Sequence, residues 1–351
     1  MTTPATPSPA AIRQARAENP KLRDRDFAAE LNISEAQLVA AYAGRGVTRI
    51  AARPDDIVPR LTALGEVMAL TRNTSCVIEK TGVYENYRSG QHAAMVNNPE
   101  IDLRFFPPHW VSAFAVVREG GNGPRRSIQI FDAAGDAVHK VHLLPASDVG
   151  EFDRLVADLK LEDQSSELTV EPRKPADAPR ADAAKAEELR KGWAGMTDTH
   201  QFIGLTKKLK MNRLGAYRIA DEPFARELDT GTVNTMLEAV RDTKTEVMIF
   251  VGNRGCIEIH GGPIVTLKET GPWQNVLDPG FDLHLRLDHI AEVWAVNKPT
   301  QRGDAISVEA FDAEGTLIFQ VFGRRNMGTD HRPAWNAIVE GLASKPVLED
   351  A

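Results

Sequence analysis

The chain is one unit written twice, and that constrains its fold more than any other feature. Glu66-Val-Met recurs as Glu246-Val-Met, Cys76 as Cys256 and Gly82 as Gly262, all at an offset of 180 residues. The offset persists downstream, from Asp102-Leu103 to Asp282-Leu283, Ser127 to Ser307, and Phe131-Asp-Ala-x-Gly135 to Phe311-Asp-Ala-x-Gly315. Upstream it is 175, pairing Phe27 and Tyr42 with Phe202 and Tyr217, so one insertion of five residues reconciles the two. Collinear agreement over roughly 130 residues is the mark of an internal duplication. The predicted boundaries are 11–162 for the first repeat and 189–345 for the second. The stretch 163–188 between them is rich in Pro, Ala and charge. It holds too little apolar surface to offset the entropy of ordering, so it reads as a linker.

Each repeat opens with apolar residues at helical spacing, Phe27, Leu31, Leu38 and Tyr42 in the first (24–43, with 199–218 its counterpart). Strand-like alternation follows at 67–70, 76–78, 111–117, 127–131 and 137–143, and a last helix closes each repeat at 149–161 and 332–344. The turns Asp132–Asp136 and Asp312–Thr316 join neighbouring strands as hairpins. The predicted class is therefore α+β, a tandem structural duplication in which each half is a large antiparallel β-sheet with flanking α-helices.

Composition narrows the function classes. With 42 Lys+Arg against 49 Asp+Glu, the net charge of −7 disfavours a protein that coats nucleic acid or an anionic membrane. Two cysteines exclude a disulfide scaffold and suit a reducing cytoplasm, and their repeat-related positions read as small strand residues. No apolar run is long enough to span a membrane, and Met1–Pro9 reads as a short disordered lead without signal-peptide character. No Gly-rich phosphate loop, HExxH, CxxC or Gly-x-Ser-x-Gly stands at the required junctions. The stretch from Phe27 to Val39 has a helix-turn-helix cadence. Its presumed reading segment, Ser34–Ala41, lacks Arg and Lys, so a structural helical hairpin is expected and nucleic acid is not expected as a partner.

Chemistry is sought where the repeats differ. Asp198 and Gln201 resemble a capping box that would put His200 in a first helical turn. The helix dipole there disfavours imidazolium and favours the neutral ring a metal requires. The first repeat has Arg25 at the equivalent position. An exposed helix-start histidine without a ligand role fits the same spacing. Conversely, Arg104 in Ile101-Asp-Leu-Arg-Phe-Phe106 aligns with His284, and it reads either as a cationic donor or as a surface salt bridge.

On these residues the chain resembles the cytoplasmic hemin-transport or hemin-degrading proteins of bacterial heme-uptake systems. The pieces that carry the likeness are Thr197-Asp-Thr-His-Gln-Phe202, Asn73-Thr-Ser-Cys-Val-Ile, Asp102-Leu-Arg-Phe-Phe106 and Phe131-Asp-Ala-x-Gly135. The resemblance implies one heme b held in a cleft between the halves, with His200 of the second repeat as proximal iron ligand and Arg104 on the distal side. It further implies Arg213, Lys298 and Arg325 at the propionates, and Phe106, Met248 and Phe250 against the macrocycle. At Phe319-Gln-Val-Phe322 the chain has phenylalanine where the family has tyrosine, so no hydroxyl contact to a propionate is implied there. The implied partners are heme, a heme importer, and a downstream acceptor or oxygenase. The implied role is trafficking of heme or its delivery for iron release. The alternative is an oxidative enzyme that opens the ring, with Arg104 as the catalytic group.

Overall fold

The computed structural model describes residues 6–121, 123–325 and 328–346, which form two compact units. The first unit takes 1–72, 78–174 and 252–258, and the second takes 73–77, 175–251 and 259–351. The segments 73–77 and 252–258 are repeat-related, so each repeat contributes the same short piece to the other repeat's unit.

The first unit contains helices α1 (Pro9–Glu18), α2 (Asp24–Glu30), α3 (Glu35–Ala40), α4 (Pro54–Leu61) and α5 (Val149–Leu159). Its strands are β1 (Val47–Ile50), β2 (Val67–Arg72), most of β3 (Cys76–Gly82), β4 (Ala94–Asn97), β5 (Asp102–Phe105), β6 (Ser112–Arg118), β7 (Arg125–Phe131) and β8 (Ala137–Leu143). The order β1-β6-β7-β8-β2 is antiparallel throughout, and β4 pairs antiparallel with β5. The second unit contains α6 (Ala186–Ala194), α7 (Gln201–Lys208), α8 (Arg213–Ala220), α9 (Thr232–Thr243) and α10 (Arg332–Glu340). Its strands are β9 (Ala225–Leu228), β10 (Val247–Gly252), β11 (Cys256–Gly262), β12 (Leu267–Thr270), β13 (Trp273–Asp278), β14 (Phe281–Arg286), β15 (Glu292–Lys298), β16 (Ala305–Phe311) and β17 (Leu317–Gly323). Here the order β9-β15-β16-β17-β10 repeats that of the first unit strand for strand. The α+β class and the duplication read from the sequence are both present.

The first opening segment is the expected helical hairpin, α2 and α3, and the second, predicted as one helix, is likewise two, α7 and α8. Asn32 (φ 51°) ends the first segment in one repeat and Lys210 (φ 59°) in the other, a conformation in which a helix cannot continue. Ser34 and Gln37 then form a capping box that starts α3. Every residue of α3 is buried, and Glu35 is ion-paired with both Lys140 and Arg72. That helix has no exposed face to lay in a DNA groove, and it serves as a packing element. Of the lead Met1–Pro9, residues 1–5 lie outside the described residues, and Ser8 caps α1.

The first core gathers Ile57, Val67, Leu103, Phe105, Ile128 and Phe152, whereas the second is more aromatic, built on Trp193, Phe202, Tyr217, Trp294 and Phe311. Both cysteines are buried free thiols, their pKa pushed up by burial. Of the predicted linker 163–188, residues 163–182 have almost no regular structure but are tied down by polar contacts, whereas 183–188 form a short helical turn and the start of α6. Gln164 donates to the Arg49 carbonyl (2.9 Å), and Arg173 forks onto Asp136. Further along, the Arg180 carbonyl accepts from Asn212 N–H (3.1 Å). Side chains and backbone thus supply through hydrogen bonds what this segment lacks in apolar burial. Among the described residues no helix is long and apolar enough to cross a membrane.

The repeated turns need their glycines. Gly135 (φ 77°) and Gly315 (φ 82°) are left-handed, and a Cβ would lie 2.3 Å from Ser34 Oγ at the first and 2.9 Å from Pro179 at the second. Gly315→Ala is expected to lower the urea-unfolding free energy by about 1–3 kcal/mol. Gly121→Ala, where a Cβ meets nothing within 4 Å, should stay within about 0.5 kcal/mol of the parent.

Candidate functional site

His200 sits at the start of α7, and its placement follows from local sequence. Asp198 Oδ1 accepts from the His200 backbone N–H (2.8 Å) and from its ring Nδ1 (2.8 Å). Gln201 reaches back to Thr197, its Oε1 accepting from the Thr197 N–H at 2.8 Å. The expected Asp198–Gln201 box is thus split between two neighbouring pairs, and His200 itself occupies the cap position. A carboxylate oxygen can only accept here, so Nδ1 carries the proton and Nε2 is the ring nitrogen left for a metal, the arrangement that orients metal-binding histidines. The side chain is 90% exposed. Asp198 is lowered below its usual carboxylate range, first by the His200 backbone N–H and then by the ring.

Beneath α7 lies an ionic cluster. Glu309 on β16 is fully buried and accepts from Arg213 Nη1 (2.7 Å), Tyr217 OH (2.9 Å), Lys298 Nζ (2.8 Å) and Ser307 Oγ (2.9 Å). Burial opposes ionisation, but Lys298 and Arg213 outweigh it and hold the carboxyl well below its ordinary value. Lys298 is lowered to about 8 by burial and by Arg213, against the pull of Glu309. Its ammonium lies 5.2 Å from the centroids of both Phe202 and Tyr217, a cation–π seat that joins it to α7. Arg213, Lys298 and the His200 helix are therefore parts of one assembly.

Strand register extends this assembly across the sheet. Phe250 opposes Gln320, which opposes Glu309, and Met248 opposes Phe322, which opposes Ser307. Directly paired residues share a face, so half-buried Met248 and Phe250 lie on the Glu309 side. Phe250 and Phe322 pack edge to face at 5.4 Å. Phe319 points the other way, into the core. Arg325 is exposed just past β17, where its backbone bridges to Asp330.

Two predicted residues stand in the first unit and are described there. Arg104, half-buried on β5, pairs with Asp102 and donates to the Leu103 carbonyl (3.0 Å), folding its guanidinium back along its own strand. Phe106 follows β5, and its N–H donates to the Gly255 carbonyl (3.0 Å).

Motif reading missed a second polar cluster, in the first unit. Buried His139 bridges the Thr71 hydroxyl (2.9 Å at Nδ1) and the Tyr84 hydroxyl (2.6 Å at Nε2), with Cys256 Sγ 3.4 Å from Thr71. Glu258 is fully buried close to Thr71, and among the described residues neither carboxyl oxygen has a partner in full hydrogen-bond geometry. Burial pushes Glu258 up to about 8, with Thr71 and Lys80 pulling the other way, and burial pushes His139 down to about 3. The repeat itself carries the signal that could have found the cluster. Thr71, Tyr84, His139 and Glu258 correspond at offset 180 to Val251, Ile264, Phe319 and Ile78, all apolar.

The sequence matches the haemin-degrading HemS/ChuX domain over residues 32–159 and 210–342. It is 36% identical to the hemin transport protein HmuS of Yersinia pestis, over 95% of this chain and 96% of that protein. The structure resembles that of holo-PhuS, a heme-binding protein from Pseudomonas aeruginosa, with a TM-score of 0.91 and 42% identity over 97% of this chain and 100% of the other. It also resembles ChuS, described as an Escherichia coli heme oxygenase, with a TM-score of 0.84 and 32% identity over 93% and 98% of the two chains. The chain belongs to the HemS/ChuX family of haemin-degrading domains.

The cluster around Glu258 makes stability pH-dependent. Between about pH 4.5 and 8 the unfolded chain releases a proton that folded Glu258 keeps, so this group's contribution falls as pH rises through that window. Glu258→Gln cannot ionise, so its Tm advantage over the parent should widen from pH 5 to pH 8.5. A constant difference across that range, followed by thermal melts, would contradict the assignment.

Proposed function

We propose that this protein binds one heme through His200 and, in the cytoplasm, carries it from an importer to an acceptor or delivers it for iron release. The observation that carries this reading is His200 itself, an exposed imidazole whose Nδ1 is fixed by Asp198 and whose Nε2 is left for a metal. The surroundings fit the ligand's chemistry. Heme combines a metal, an apolar plate and two carboxylates, and the second unit offers an imidazole, the half-buried Met248 and Phe250, and the cations Arg213, Lys298 and Arg325. Burial of about 400 Å² of apolar ligand surface would contribute on the order of 10 kcal/mol before ordering costs. The heme-binding and hemin-transport descriptions of PhuS and HmuS support the same reading.

Arg213 and Lys298 would meet a carboxylate already turned toward Glu309, so accepting a propionate means sharing these cations with that internal carboxylate. Such divided partners hold a ligand while allowing its release, which suits transfer. Arg325 carries the exposed cation of the three.

The second reading is oxidative ring opening, favoured by the description of ChuS as a heme oxygenase. The heme would supply the redox chemistry. Arg104 is then the hydrogen-bond donor to a small oxidant, and its guanidinium must leave Asp102 and Leu103 to serve.

Hemin titration followed by absorption spectroscopy tests the proposal. His200→Ala should change the spin and coordination bands most, whereas Arg104→Ala should alter ligand binding and any turnover with less effect on affinity. A colourless chain after hemin addition, or spectra identical to the parent in both variants, would overturn the assignment. Loss of Soret absorbance under reductant that persists with catalase present would favour the enzymatic reading.

A further inference from the structure

A net charge of −7 poses a problem for a protein that takes up a ligand with two carboxylates, because the average field repels it. The second unit contains a local answer. Between α7 and α8 lies a groove of about 310 Å³ with Phe202, Ile203 and Met211 as its apolar lining. Its cations are Arg180, Lys207, Lys210 and Arg213, and no acidic side chain lines it.

The four cations differ in their commitments. Arg213 is held by Glu309, and Arg180 pairs with Asp177 at 2.8 Å. Among the described residues, neither the Lys207 nor the Lys210 ammonium has a partner. Both lie at the C-terminal end of α7, where they face the negative end of its dipole. Ile203, 61% exposed, is the most exposed apolar side chain of the groove. His200, Ile203 and Lys207 follow one another at three- and four-residue spacing, so they share one face of α7. The groove therefore begins one turn from the imidazole and ends at Arg213.

We propose that this groove is the landing site for heme, where Lys207 and Lys210 capture its carboxylates before His200 takes the iron. The inference rests on the heme-binding reading above and adds the route by which the ligand arrives. Free ammonium groups suit this task better than Arg213 or Lys298, because no internal carboxylate competes for them. An apolar floor flanked by such cations matches an amphipathic plate with an anionic edge, which a simple inorganic anion does not need.

The test is stopped-flow mixing of hemin with the full chain, read by quenching of tryptophan fluorescence. The double variant Lys207→Gln, Lys210→Gln should lower the association rate about tenfold at low ionic strength, with the gap closing near 0.5 M salt. The control Lys191→Gln, Lys208→Gln makes the same net-charge change outside the groove and should slow association less than twofold. His200→Ala should keep the fast, salt-sensitive encounter while losing the parent's end-point absorption bands. Equal slowing in the two double variants, or none in either, would overturn the proposal. If the parent chain shows no hemin bands at all, the underlying heme reading fails instead, and the end-point spectrum reveals that before any rates are compared.

Discussion

The Glu309 carboxylate organises the second unit. A fully buried charge is tolerable only when its lone pairs are engaged, and here four donors from α8, β15 and β16 converge on it. That requirement fixes α8 over the sheet through Arg213 and Tyr217. It also holds Lys298 against the rings of Phe202 and Tyr217, and so ties α7 to the cluster. His200 therefore projects from a helix whose base is clamped, even though its own side chain is exposed. Removing one partner of such a cluster leaves an uncompensated buried charge, which makes each member structural as well as a candidate ligand contact.

Duplication supplied a frame that the two repeats then used differently. Gln129 stands where the second repeat has Glu309, and Leu38 where it has Arg213, so the first unit places its buried carboxylate elsewhere, at Glu35 on α3, paired with Lys140 and Arg72. A further buried polar cluster of the first unit surrounds His139 and Glu258. The second unit is apolar at those same positions. Two copies of one fold have thus been polarised at opposite places, which a fold-level comparison alone would not reveal. Glu258 also lies in the segment 252–258 that the second repeat contributes to the first unit, so the cluster draws on both repeats.

Much of the architecture was legible because it depends on short-range pattern. Alternation at 67–70, 111–117, 127–131 and 137–143 located β2, β6, β7 and β8 to within two residues, and the Phe-Asp-Ala-x-Gly turns located two hairpins. The interruption of the first opening helix was legible as a helix-turn-helix cadence, whereas that of the second was not. Asn32 belongs to a residue type that tolerates the left-handed backbone, whereas Lys210 carries no such signal. Composition marked 163–182 as poor in regular structure but did not show the helical start at 183–188. The segment's polar ties to Arg49, Asp136 and Asn212 were not legible, because each joins residues more than thirty positions apart.

The sequence by itself determined the duplicated α+β plan, the family, and His200 as the residue to test first, since repeats, motifs and helix-start chemistry are written in neighbouring residues. Tertiary structure alone decided what each charge does. It engaged Lys298 and Arg213 with Glu309, folded Arg104 onto Asp102, buried Glu258 beside Thr71, and left Lys207 and Lys210 open to solvent. The physical reason is that a charge's energy depends on burial and on partners within a few ångströms. Those are set by strand register and helix packing between segments that stand far apart in the chain.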